Sequence, residues 1–255
     1  MRYIRYYSVL DQPKFGWIWE NKVGEIEGTP FGEYRRMEAE TGLDHIQLLA
    51  PVQPGKIVGV EVNFQQTSPD AAADLPVIPS IYLKPPSTVI GTGQAILLPP
   101  QSNLVEHEVH LAIIIGKSGR WISPEQAREY IFGYTIATDV TARDLQKQDH
   151  HMARAKAFDT FLSLGPWIET ELDVIDTLMT CRVKGELRQM ASTREMFFSV
   201  PQLVAFISSI MTLNPGDVIL SGSPAGIGPL SPGDIVQSSI EGIGDLTNPV
   251  ARENN

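Results

Sequence analysis

Cysteine is almost absent: Cys181 is the one thiol in 255 residues. A single cysteine cannot close an intramolecular disulfide, and it excludes a cysteine-rich zinc site. Basic residues are the minority, 20 Lys and Arg against 30 Asp and Glu, giving a formal net charge of -10 with no long block of either sign. That balance argues against a nucleic-acid-binding face and against a surface that seeks anionic lipid. No window approaches the run of about 18 apolar residues that a membrane span requires. The opening MRYIRYYSVLDQP has no apolar signal core. A cytoplasmic enzyme without nucleic-acid or membrane partners is expected. Also missing are a dinucleotide fingerprint, a Walker loop and a Gly-x-Ser-x-Gly elbow, so nucleotide cofactors and serine-hydrolase chemistry have no signature here.

What the chain does contain is strand. Its length allows one large domain, or a main domain with an appendage, and a sizeable core. Residues 1–52 read as a small N-terminal module: short strands in RYIRYYSVL and FGWIWE, then a charged segment of helix type, EYRRMEAETGLDHIQLL, closed by APVQPGK. Over 53–255, β-branched runs such as KIVGVEV, SIYLK, HLAIIIG, FGYTIATDV, CRVKGELRQ, DVILSG and DIVQSSI recur between Gly, Pro and Asp turns. Two helices interrupt them. SPEQAREYIFG has Ser123 as N-cap, Pro124 at the first position and Gln126 near the capping-box position, and SVPQLVAFISSIMTL is the other. The expected fold class is α+β, mainly β, with a few flanking helices.

The chemistry has to come from polar residues that interrupt these strands. In NLVEHEVHLAIIIG, the two-residue repeat of a strand puts Glu106, Glu108 and His110 on one face, immediately before the apolar run Leu111 to Ile115. Asp139 follows a second apolar strand, GYTIATD, which can lie beside the first. Glu108, His110 and Asp139 are all metal-ligand types. Oxygen ligands favour Mg²⁺ or Mn²⁺, while an imidazole raises the odds of Mn, Fe or Zn. A solvated strand end would carry the same residues without a metal. Behind Asp139, TDVTARDLQ and RAKAFDTF supply Arg143, Gln146 and Lys156, cations and an amide that suit a small anionic oxo acid. Equally, Arg143 can pair with Asp144 or Asp139, and Lys156 can be a surface amine. LSGSPAGIG holds a Gly-rich turn with Gly222 and Ser223, whose backbone amides can cradle a carboxylate or oxyanion, although such turns are more often only turns.

In order, LLAPVQPGKIVGVEVNF, SIYLKPPSTVIGTG, EHEVHLAIIIGK, GYTIATDVTARDLQ, RAKAFDTFLSLGPWI, LNPGDVILSGSPAGIG and SPGDIVQSSIEGIG resemble the fumarylacetoacetate hydrolase (FAH) family. The likeness runs over residues 48–250, and more loosely into the first module. Within the family it points to the bacterial group of 2-hydroxyhepta-2,4-diene-1,7-dioate isomerases, 5-oxopent-3-ene-1,2,5-tricarboxylate decarboxylases and acylpyruvate hydrolases. The resemblance implies a mixed β-sandwich roll, a homodimer, and a Mg²⁺ or Mn²⁺ site chelating the 1-carboxylate and 2-oxo or enol group of a substrate. Family members hydrolyse, decarboxylate, isomerise or hydrate 2,4-dioxo acids and 2-hydroxydienoates. Carried over, the metal ligands fall on Glu108, the position of His110, and Asp139. Substrate-binding roles carry onto Gln146 and Lys156 and onto the Gly-rich turn with Gly222 and Ser223; Lys156 is also a candidate catalytic cation, and Arg143 a candidate substrate-binding residue.

Two departures matter. The family usually has Glu-x-Glu where this chain has Glu108 and His110, so one ligand loses its negative charge. Using Glu106 instead would slip the strand by two residues. The family's Asn-Tyr-x-x-His-x-x-Glu, whose His–Glu pair is thought to deprotonate a water, is matched here by NFQQTSPD: Asn63 and Phe64 agree, but Thr67 replaces the His and Asp70 the Glu. Glu61, where Gly is usual, adds a carboxylate. Threonine cannot act as a base near neutral pH, whereas hydrolytic C–C cleavage needs an activated water. Decarboxylation of a 3-oxo acid or enol–keto isomerisation asks less of the protein, since a metal takes up the enolate charge. Asp70 and Glu61 are the candidate catalytic carboxylates, with His150 or His151 as a base from another loop. A non-catalytic family member and a biosynthetic enzyme with an altered site stay open as alternatives.

Overall fold

A computed structural model of the chain describes residues 1–8, 12–65 and 76–253. Thr67 and Asp70 lie outside the described residues. The N-terminal stretch forms strands β1 (Arg2–Tyr7), β2 (Pro13–Trp19), β3 (Lys22–Gly28), β4 (Tyr34–Gly42) and β5 (Gln47–Leu49). There follow β6 (Ile57–Val60), β7 (Ile81–Lys84), β8 (Val89–Ile90), β9 (Ile96–Leu98), β10 (Val105–Ile115) and β11 (Ile131–Ala142). Helix α1 (Arg143–Asp149) leads to β12 (Leu162–Glu169), β13 (Leu178–Val183) and β14 (Glu186–Ser192). The chain finishes with α2 (Val200–Ile210), β15 (Val218–Leu220), β16 (Gly228–Pro229), β17 (Ile235–Ile240) and β18 (Gly244–Arg252).

The strands make two sheets. The larger runs β4-β3-β2-β1-β12-β11-β10-β15-β6-β7, with β16 on β10, β5 on β1 and β8 on β12; the smaller runs β14-β13-β17-β18-β9. This is the mainly β, two-sheet α+β architecture read from the sequence. The first fifty residues join the large sheet through antiparallel pairing of β1 with β12.

The long central strands β10 and β11 organise the core. Both are buried along nearly their whole length. That is why they read as continuous apolar runs with sparse polar punctuation. Side chains alternate: Val109, Leu111, Ile113 and Ile115 pack with Met179, Cys181, Val236 and Leu246 of the small sheet. Ala112 and Ile114 turn the other way, toward Leu164, Val218 and Leu220. Each aliphatic side chain removed from water here contributes about 2 kcal/mol. Helix α2 covers the first cluster with Leu203, Val204 and Ile207. Its start follows the sequence signals, with Pro201 in the first turn and Gln202 Oε1 accepting from the Ser199 amide at 2.8 Å.

Three local readings change. The charged segment expected to be helical is instead β4, a 3₁₀ turn over Leu43–His45, and β5. Tyr34–Gly42 is exposed on both faces, so it has no apolar stripe to dock as a helix. It serves as the edge strand against β3, where Arg35 sits across from Glu27, and its charges deter further edge pairing. The segment SPEQAREYIFG gives only a 3₁₀ turn at Ala127–Tyr130, because Ile131 onward is taken up by β11. Helix α1 was not anticipated: seven residues with Leu145 alone buried carry no helical periodicity, and His150 ends it in the left-handed conformation at φ 58°. No helix among the described residues is long and apolar enough to cross a membrane.

Ile113→Ala at the centre of β10 is expected to cost about 2–5 kcal/mol, read as a lowered denaturant midpoint. Burial pushes the Cys181 thiol up to about 12. It should therefore resist thiol reagents at about pH 8 until the protein unfolds; labelling of the native protein at the unfolded rate would contradict this packing.

Candidate functional site

The antiparallel register of β10 and β11 sets Glu108 directly opposite Asp139. The two-residue repeat then puts Glu106, Glu108 and His110 on the same face of β10. Glu108, His110 and Asp139 are buried. Each offers one ligand atom, and the three atoms lie within 4.8 Å of one another, a group able to hold a metal ion. Thr141, two residues on from Asp139 and on its face, donates to Glu108 Oε1 at 2.8 Å.

Two buried carboxylates across a strand pair need cations, and three arrive from different elements. Lys156 Nζ, fully buried, donates to Glu108 Oε2 at 2.9 Å and to Asp139 Oδ2 at 2.7 Å. Lys84, at the end of β7, places Nζ 2.7 Å from Asp139 Oδ1. Arg143, opening α1, donates from Nε to Glu106 Oε2 and from Nη2 to Glu108 Oε1, each at 2.7 Å, and from Nη1 to Gln146 Oε1 at 2.6 Å. Tyr82 of β7 donates its hydroxyl to Asp139 Oδ2. Burial works to raise the carboxyl pKa values, yet the neighbouring Lys156 holds Glu108 well below the usual range. Asp139 is also lowered, through Lys156 and Lys84 against the same burial penalty. Burial brings Lys84 down to about 8 despite Asp139 beside it. Burial and the charge of Asp139 drive the Tyr82 phenol well above its ordinary value, so it stays a donor.

Tyr82, Glu106, Glu108, Arg143 and Lys156 line a cavity of about 340 Å³, whose walls also include Glu61 and Gln146. A larger cavity of about 840 Å³ shares Glu61, Tyr82, Arg143, Gln146 and Met152 with it and adds Lys147, His150, His151 and Met211. Glu61 accepts from the Ser80 hydroxyl at 2.8 Å. Among the described residues, Glu106, Glu108 and Asp139 each have a cationic partner and Glu61 has none within ion-pair distance.

The Gly-rich turn after β15 is anchored from two sides. Gly222 has φ 100°, and a Cβ there would lie 2.4 Å from that of Asn63, so only glycine fits. The Asn63 amide donates to Ser221 O at 2.6 Å, and Gln189 Nε2 donates to Ser223 Oγ at 2.9 Å. The Gly222 amide donates to His110 Nδ1 at 3.0 Å. Both substrate-binding candidates on this turn are thus engaged by other residues of the protein.

Of the residues expected from the sequence, Glu108, His110, Asp139, Lys156, Arg143, Gln146 and Glu61 converge, and Asp70 lies outside the described residues. Sequence reasoning missed Tyr82, Lys84 and Thr141. A signal existed for the first two: in IYLK, strand alternation places Tyr82 and Lys84 on one face, the buried one.

The arrangement fits a divalent cation at its carboxylates. Glu108 Oε2 and Asp139 Oδ2 converge on one point, now shared by the Lys156 ammonium, and oxygen donors of this kind suit Mg²⁺ or Mn²⁺.

Comparison with known proteins agrees. Residues 56–251 match the model of the fumarylacetoacetate (FAA) hydrolase C-terminal family, and residues 1–51 match the Rv2993c-like N-terminal family. The chain is 42% identical to Protein Rv2993c of Mycobacterium tuberculosis, over 90% of this chain and 88% of that one. It is 38% identical to the mitochondrial oxaloacetate tautomerase FAHD2B of Bos taurus, over 80% and 69%. The crystal structure of 5-carboxymethyl-2-hydroxymuconate delta-isomerase from Mycobacterium smegmatis superposes with a TM-score of 0.92 at 40% identity, covering 99% of this chain and 100% of that one. Maleylpyruvate hydrolase from Sphingobium sp. SYK-6, solved with manganese(II) and pyruvate, gives a TM-score of 0.82 at 28% identity with full coverage of both chains. With a family model spanning its whole β-rich body and enzymes of that fold matching it end to end, the chain belongs to the fumarylacetoacetate hydrolase family.

Proposed function

We propose that the protein is a divalent-metal-dependent enzyme acting on a 2-oxo or 2,4-dioxo acid, or on the corresponding 2-hydroxydienoate. In this reading it moves a proton between enol and keto forms, or releases carbon dioxide, in preference to hydrolysing a C–C bond. The observation that carries the reading is the opposed pair Glu108 and Asp139, bridged by the buried Lys156 ammonium, beside a cavity that Glu108, Lys156 and Arg143 line. Bound by these carboxylates, Mg²⁺ or Mn²⁺ supplies a Lewis acid that stabilises enolate charge. The manganese and pyruvate in the Sphingobium relative support a 2-oxo acid as the chelating head.

The chain's own residues have separable tasks. Arg143 is held at 2.7 Å by both Glu106 and Glu108 and so stays fixed at the cavity wall, where its charge attracts an acid group. Gln146, oriented by Arg143, lines the same wall. Lys156 supplies a desolvated cation beside the developing negative charge. Glu61 is the base: among the described residues its carboxylate has no cation within ion-pair distance, and it lines both cavities. It takes a proton from C3 of the keto acid; the C–H pair becomes the C2–C3 double bond, the C2–O π pair moves onto the oxygen, and the protonated Glu61 returns the same proton to that oxygen as the enol, the reverse sequence giving back the ketone.

The preference over hydrolysis rests on Thr67, which stands where the family carries its water-activating His. Isomerase and tautomerase activities in the names of the mycobacterial and bovine relatives point the same way. With Mn²⁺, the purified protein should accelerate loss of the oxaloacetate enol, followed by its ultraviolet absorbance, or form pyruvate from oxaloacetate; Asp139→Asn or a chelator should remove the activity. Rapid hydrolysis of acylpyruvates with neither of those reactions would overturn the reading. Glu61→Gln should lower kcat by about 10²-fold with KM little changed; an unaltered kcat would remove Glu61 as the base.

A further inference from the structure

The hydrogen bonds around His110 give it a task other than the metal ligation that the family resemblance suggests. Its Nδ1 lies 3.0 Å from the Gly222 backbone nitrogen, a group that can only donate. Nδ1 therefore presents a lone pair, and the single ring proton of the neutral imidazole sits on Nε2. That nitrogen faces Glu108 Oε2 at 3.4 Å and Asp139 Oδ2 at 3.9 Å. A metal-bound imidazole has the opposite arrangement, with the lone pair toward the ion and the second nitrogen donating its hydrogen to an acceptor. Here the second nitrogen meets a donor.

The surroundings oppose a rearrangement. Turning the ring over would set a carbon against the Gly222 amide and leave that buried donor without a partner. The turn itself cannot back away easily. Gly222 packs against Asn63, whose amide holds Ser221 O, and the Gln189 amide holds Ser223 Oγ at 2.9 Å and Pro224 O at 2.6 Å. We propose that His110 is a positioning residue, tying the Gly222 turn to the Glu108 carboxylate, and that the divalent cation is held by Glu108 and Asp139 without it. The proposal rests on the metal-dependent reading above for its second half and on the hydrogen-bond geometry alone for its first. Replacing the family's usual glutamate by a neutral donor withdraws one charge from the centre, so the ion is held less tightly than by three carboxylates.

His110→Gln tests this, because a glutamine can accept from the Gly222 amide and donate to Glu108. The variant should bind Mn²⁺ within about threefold of the wild-type Kd by calorimetry, whereas Asp139→Asn should lose more than the 10–100-fold or so that a supporting residue costs. Electron-spin-echo spectra of the wild-type Mn²⁺ complex should lack the nitrogen modulation of a bound imidazole. Strong modulation, or equal loss of Mn²⁺ by His110→Gln and Asp139→Asn, would overturn the proposal. If the wild type binds no Mn²⁺, the metal reading fails on its own. The ¹⁵N spectrum of the metal-free wild type then decides for His110: the Nε2–H tautomer supports the bridge, and the Nδ1–H tautomer refutes it.

Discussion

Two carboxylates placed opposite each other on buried neighbouring strands are the constraint from which the rest of the centre follows. At about 5 Å and an effective dielectric near 20, Glu108 and Asp139 repel by roughly 3 kcal/mol before any desolvation cost is counted. The fold answers with charges drawn from three separate places: Lys84 from the edge strand β7, Arg143 from the start of α1, and Lys156 from the loop behind it. Each must itself be buried or nearly so to be effective, and each therefore depends on the carboxylates in return. Removing one partner from such a set leaves an uncompensated charge in the interior, which costs more than the pair contributes when complete.

The same strand serves both sides of the sandwich. On the face opposite the centre, His107 and the Val109 amide meet Gln189 Oε1 at 3.2 and 3.0 Å, which links β10 to the small sheet. Gln189 in turn reaches the Gly-rich turn, and that turn reaches His110 on the first face. A loop of hydrogen bonds thus passes from one side of β10 around to the other. Buried networks of this kind are stiff when every member is satisfied, and here the Gln189 amide uses both its oxygen and its nitrogen.

Much of this was legible without coordinates, and the part that was not has a physical cause. Strand alternation put Glu106, Glu108 and His110 on one face, and Asp139, a ligand type at the end of a second apolar strand, joined them independently of the family resemblance. The register that makes Glu108 and Asp139 direct neighbours is a long-range property that no local pattern encodes. Tyr82 and Lys84 carried a readable alternation, but a lysine in a short strand reads as an edge charge until its partner is known. Residues 34–42 misled because an exposed edge strand has charges on both faces and so imitates the polar content of a surface helix. Helix α1 escaped because its placement is fixed by Arg143 and Leu145 docking on the strands, with too few apolar residues to show a period.

The two adjoining cavities are walled by parts of the chain with different freedom to change. The inner one is walled chiefly by side chains fixed within paired strands, by Arg143 and Gln146 of α1, and by Lys156, and a substitution there disturbs charges that hold one another in place. The outer one adds Lys147, His150, His151 and Ala153, from the end of α1 and the connection after it, where exposure is high and little packing depends on identity. Substitutions along this connection therefore change the chemistry of the outer cavity at little cost in packing, while the paired charges beneath hold one another in place.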